Sequence, residues 1–141
     1  MSSRVASDDE GGARTSRPKR RSSSIAIKGA YDNPMPQDGV RILIDRLWPR
    51  GVSKTKLKLD AWPRELAPST ELRKWYGHDP ARFAEFRRRY KAELAERPEQ
   101  LSALHAMVKG RAATLLTATR ELDLSHAEVM RGILQRKGTA R

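Results

Sequence analysis

The run Ile42-Leu43-Ile44 constrains the fold more than any other stretch of this chain. Three consecutive apolar residues, two of them β-branched, suit a strand covered on both faces, as in a parallel sheet. The run belongs to the segment RILIDRLWPRG, Arg41 to Gly51, which closes in charge: Asp45, Arg46 and Arg50 surround Trp48 and Pro49 before Gly51 turns the chain. Ligands of open α/β sheets bind beyond the carboxyl ends of the strands, so two arginines and a tryptophan at that point indicate an anionic ligand.

Capping and spacing place the elements on either side. Ile25 to Lys28 reads as a first short strand, followed by the turn signals Asn33-Pro34, Met35-Pro36 and Asp38-Gly39. The Ile42 strand is expected at the centre of the sheet. Val52 to Leu59 is basic and poorly periodic, with room for a turn or two of helix. Asp60 to Pro68 is broken by Pro63 and Pro68 and turns Trp62 and Leu66 inward. Ser69 then caps a helix carrying Leu72, Trp75 and Tyr76, which Gly77 ends. Asp79 caps the next helix, with Pro80 in its first turn. Its apolar stripe is Phe83, Phe86, Tyr90 and Leu94, it runs to about Glu96, and Glu85 and Arg89 form a surface pair. Pro98 starts a third helix bearing Leu101, Leu104 and Val108, stopped by Gly110. Ala113 to Thr117 is a further buried strand. Ser125 and Glu128 read as a capping box for a last helix that buries Val129, Met130, Ile133 and Leu134 and ends before Gly138. Strand, strand, helices, strand, helix predicts a small single α/β domain over residues 25–137, its short, mostly parallel sheet flanked by helices, with a short tail at 138–141.

Composition bounds the functional classes. Among 141 residues there are 29 Lys plus Arg against 17 Asp plus Glu, a formal charge of +12 that favours anionic partners. The absence of cysteine removes disulfides, thiol catalysis and zinc-thiolate sites together. No apolar run approaches the roughly eighteen residues of a membrane span, and no signal core opens the chain, so a cytoplasmic protein without membrane contact is expected. Residues 1–24 are polar, have almost nothing to bury and contain the basic cluster Arg17-Pro18-Lys19-Arg20-Arg21, so they are expected to be disordered. That cluster either attracts nucleic-acid phosphates or serves as a solubilising arm.

The two strand ends should converge. Parallel pairing would bring Arg46, Trp48 and Arg50 opposite Thr117, Thr119 and Arg120, with Ser125 at the start of the last helix alongside, where free N–H groups attract anions. Lys28 can join from the first strand. The competing structural reading pairs Arg46 or Arg50 with Asp45, Glu121 or Asp123 to hold the loops together. Of the three histidines, His105 falls near an apolar helix face and reads as structural. His78 sits on a helix-to-helix turn and is either a ligand-binding or a solvated residue. His126, in the first turn of the last helix on its inward side, is the best general acid or base the chain offers, if it is an enzyme at all. Distant histidines without paired spacing make no metal motif, and no cofactor is indicated.

Four blocks, RILIDRLWPRG at residues 41–51, LAPSTELRKWYGHD at 66–79, FRRRYKAEL at 86–94 and TLLTATRELDLSHAEV at 114–129, together resemble the YeaO-like branch of a bacterial domain-of-unknown-function family. The resemblance covers residues 25–134 and implies a compact cytosolic α/β domain without assigning an activity. Arg120-Glu121 stands where relatives usually carry a Lys-Asp pair. Leu124 stands where many carry a second histidine, which weakens any paired-histidine site. Ser125 replaces a cysteine of more distant relatives and suits a helix cap better than a nucleophile.

Two functional readings follow. In one, Arg46, Arg50, Thr119 and Arg120 hold a phosphorylated or carboxylated small molecule, with His126 available for proton transfer. In the other, the protein binds nucleic acid through its tail and the basic residues Lys54, Lys56, Lys58, Arg87, Arg88 and Arg89, with Trp48 or Tyr76 stacking on bases.

Overall fold

The computed structural model describes residues 24–139. The basic cluster at 17–21 and the disorder expected of the amino-terminal segment lie outside the described residues, as do the last two residues. Three strands, β1 (Ile25–Gly29), β2 (Val40–Leu43) and β3 (Ala113–Thr117), pair in the order β1-β3-β2, all parallel. The helices are α1 (Lys54–Leu57), α2 (Thr70–Tyr76), α3 (Phe83–Ala95), α4 (Pro98–Val108) and α5 (His126–Thr139). This is the small α/β domain the element order predicts.

The sheet's centre is β3 rather than β2, against expectation. β2 reads as central because its free edge is covered: Ala61 forms a parallel bridge with Ile42 and accepts from the Leu43 amide, while the Asp60 carboxylate accepts from the Arg41 amide at 2.8 Å. An edge closed in this way buries Ile42, Leu43 and Ile44 completely, as a central strand would be.

Alternation through that apolar run feeds two cores. Ile42, Ile44 and Leu115 point to one face, where they meet Leu72, Tyr76, Phe86, Tyr90, Leu104 and Met130 from the helices. Leu43 and Leu116 point to the other, against Leu57 of α1 with Trp48, Val52, Leu59 and Trp62. Tyr90 is fully buried on α3 and donates to the Leu66 carbonyl at 2.6 Å, tying helix to loop. Capping follows the sequence at two helices: Ser69 accepts from the Leu72 amide and Asp79 from that of Ala81. Asp79 opens a single 3-10 turn, Pro80–Arg82, ahead of α3.

At α5 the expected capping box is only half formed. Ser125 Oγ accepts from the Ala127 amide, but Glu128 turns away to Arg131 at 2.7 Å, and the Ser125 amide bonds the Leu122 carbonyl instead. The 3-10 turn Leu122–Leu124 supplies that carbonyl and so removes the need for the glutamate. α5 also continues through Gly138 to Thr139 instead of stopping short of it. Gly39, at φ +67°, admits no side chain, since an added Cβ would lie 2.1 Å from the Ala112 carbonyl oxygen. That close approach brings the start of β2 against the start of β3.

Candidate anion-binding site

A cavity of about 530 Å³ opens beyond the carboxyl ends of β2 and β3. Asp45 to Arg50 line one side and Ala118 to Glu121 the other, with Arg73 of α2 and His78 closing it. The structure therefore brings together Arg46, Trp48, Arg50, Thr119, Arg120 and His78, six of the residues singled out from sequence.

Asp45 joins the two strand ends. One carboxylate oxygen accepts from the Thr117 hydroxyl at 2.7 Å and faces His126 Nε2 at 2.8 Å; the other accepts from the Ala118 amide at 2.8 Å. Burial alone would raise the Asp45 pKa, but the His126 contact together with the Ala118 and Thr117 bonds holds the carboxyl below its ordinary value. An ionised carboxylate only accepts, so the bond assigns the hydrogen to Nε2 of His126. That side chain is 11% exposed, stands edge-on to Tyr90 and does not line the cavity. Thr117, fully buried, braces Asp45 in the same way and accepts from the Thr119 amide. His126 and Thr117 thus lie behind the cavity wall.

Two more predicted ligands lie elsewhere. Ser125 is buried and occupied with Leu122 and Ala127, and neither it nor any residue of α5 lines the cavity. Lys28 turns to Asp38 at 3.0 Å and to the Asn33 carbonyl at 2.9 Å. It joins Arg41 in a buried charge cluster remote from the cavity lining, because a buried aspartate at the end of a tight turn is its nearest counter-charge.

The competing structural reading holds for Arg46 in effect, since it ties two loops, but not in the acidic partner expected. Arg46 bonds the Ala67 and Pro68 carbonyls instead of any acid. Arg50, Arg73 and Arg120 form no side-chain hydrogen bond or ion pair among the described residues, and all three are exposed. Trp48 in the same lining is held by several contacts: it donates to the Val52 carbonyl and packs edge-to-face on Trp62 at 5.2 Å, while Trp62 donates to the Asp45 carbonyl at 2.7 Å. Sequence reasoning missed Asp45, Leu47, Pro49, Arg73, Ala118 and Glu121 as lining residues. Asp45 and Leu47 lie within RILIDRLWPRG, where the arginines and Trp48 carry the stronger local signal. Arg73 carried no local signal, since it reads as one solvated cation on a short helix.

The family model of DUF488-N3i, described as "Inactive DUF488-N3 subclade", matches residues 24–141, which span the whole sheet and cavity. The chain belongs to this family. DUF488-N3i membership agrees with the likeness to "Uncharacterized protein YeaO" of Escherichia coli (strain K12), 43% identical over 107 residues that cover 76% of this chain and 93% of the relative. An uncharacterised protein of Mycobacterium tuberculosis (strain ATCC 25618 / H37Rv) is 39% identical over 114 residues, 81% of this chain and 96% of that protein. No solved structure matches the chain. No helix among the described residues is long and apolar enough to cross a membrane.

Proposed function

We propose that the protein binds a small anionic ligand, phosphorylated or carboxylated, in the cavity beyond β2 and β3, and that it acts as a binding module without proton-transfer chemistry. The observation that carries this reading is the set of three unpaired guanidiniums, Arg50, Arg73 and Arg120, on the rim of one cavity of organic-ligand size. A binding role without catalysis is supported by the position of His126, which does not line the cavity, and by the word "Inactive" in the family's description.

The nucleic-acid reading has less support. Arg88 and Arg89 are engaged by Glu85, and Arg89 also lies over Trp75 at 4.3 Å. Tyr76 is buried and donates to the Leu124 carbonyl, which withdraws it as a stacking platform. Trp48 is half-buried and has its N–H engaged.

Thermal melting of the full chain with a sugar phosphate, a nucleotide, a small carboxylate or a short oligonucleotide tests the proposal. A small anion should raise the midpoint by mass action, and Arg50→Ala should abolish the rise. A rise with the oligonucleotide alone, insensitive to Arg50→Ala and erased by moderate salt, would transfer the function to the basic surface.

A further inference from the structure

We infer that the ligand is an organic phosphomonoester whose carbon part packs on Leu47, an inference that rests on the cavity being an anion site. Charge gives the head group. The lining carries Arg46, Arg50, Arg73 and Arg120 against the two carboxylates Asp45 and Glu121, so two positive charges remain. A phosphomonoester carries about −1.5 to −2 at neutral pH and offers three acceptor oxygens to guanidinium forks, whereas a lone carboxylate leaves one charge unmet.

Size and polarity give the rest of the molecule. About 530 Å³ is many times the roughly 30 Å³ that one water occupies in the liquid, so a bare oxyanion would leave most of the space to solvent. Of the remaining lining, His78 and Thr119 are polar, while Leu47, Trp48 and Pro49 follow one another as an apolar stretch, with Ala118 on the other side. Leu47 is 69% exposed, the most exposed large hydrophobic among the described residues, and it stands at this cavity rather than on an unrelated surface. A leucine held open to water beside a fixed tryptophan gains most when an apolar group covers it. The Trp48–Trp62 pair keeps that wall in place before binding, which lowers the ordering cost of capture.

Calorimetric titration of the full chain with phenyl phosphate, inorganic phosphate and benzoate separates the parts. Phenyl phosphate should bind about tenfold or more tightly than either of the others. Leu47→Ser should cut its preference over inorganic phosphate about tenfold, and Arg73→Ala should weaken both phosphates together. Equal affinity for phenyl phosphate and inorganic phosphate would overturn the apolar part and leave the anion site standing. Benzoate binding as well as phenyl phosphate would overturn the phosphomonoester assignment. No binding of any of the three would remove this inference and, with a silent melting panel, the anion site too.

Discussion

Arg41 and Arg50 lie nine positions apart on either side of one strand end, and their surroundings are opposite. Arg41 is 5% exposed, with its guanidinium on Asp38 and on the Leu57 and Lys58 carbonyls, and Lys28 joins the same aspartate. Arg50 is exposed, has no partner among the described residues, and shares a cavity with the equally unpaired Arg73 and Arg120. The first cluster is closed: Lys28 and Arg41 share the Asp38 carboxylate and bond backbone carbonyls besides, and the result is a clamp between the turn before β2 and the α1 loop. The second is open, and on the proposed function its excess positive charge meets a ligand. Arginines of one sequence segment therefore divide into paired and unpaired groups according to whether the fold supplies their acceptors, and we propose the unpaired group as the ligand-binding one.

The largest effect should come from opening the closed cluster. Asp38→Ala strands a buried guanidinium and should cost about 3–5 kcal/mol of stability in denaturant titration; a loss below 1 kcal/mol would mean that the carbonyls alone satisfy Arg41. Asp45→Asn comes next, at about 1–3 kcal/mol, because an amide cannot accept from Ala118, Thr117 and His126 at once. It should also lower affinity at the cavity, since it loosens both strand ends. Tyr90→Phe leaves the buried Leu66 carbonyl without its donor and should cost about 1 kcal/mol by the same measurement. The smallest change belongs to the open cluster: Arg50→Ala, Arg73→Ala and Arg120→Ala should each alter stability by no more than about 0.5 kcal/mol. A larger loss from any one of them would place it in the structural group.

Acid should distinguish the two clusters as well. Burial raises the Asp38 pKa, but the Met35 amide, Lys28 and Arg41 outweigh it, so its carboxyl, like that of Asp45, titrates below 3.8 in the folded protein. A carboxyl depressed on folding contributes stability above its unfolded value of about 3.9, and that contribution is lost as pH falls through the folded value. Unfolding midpoints should therefore hold above about pH 5 as far as these two groups are concerned and drop below pH 4. The drop should be shallower in Asp45→Asn, whereas the Arg50, Arg73 and Arg120 variants should follow the parent curve.

Much of this was legible in the residues because local rules and tertiary packing agree. Ser69, Gly77 and Pro98 each mark the helix boundary they predict, Asp79 caps a 3-10 turn just ahead of its helix, and the parallel sheet follows from apolar runs separated by helices. The order of strands was not legible, because an edge covered by Ala61 buries β2 as a centre would. At the site, the strand-end residues Arg46, Trp48, Arg50, Thr119 and Arg120 were legible from the rule for open sheets. Lys28, Ser125 and His126 were drawn elsewhere by Asp38, the Leu122–Leu124 turn and Asp45, partners that lie 10 and 81 positions away for Lys28 and His126. Long-range pairing of that kind leaves no periodicity to read. Arg73 was missed because helix position alone does not say which cavity a surface cation borders.

The most direct test of the open cluster is the melting temperature of the full chain as inorganic phosphate rises at constant ionic strength, compared with the Arg50→Ala, Arg73→Ala, Arg120→Ala triple variant. The parent should gain stability logarithmically once phosphate exceeds its dissociation constant, reaching about 2.7 kcal/mol at a hundredfold excess, while the triple variant stays flat. Equal slopes in the two proteins, or no slope in the parent, would contradict the assignment of these arginines to a ligand.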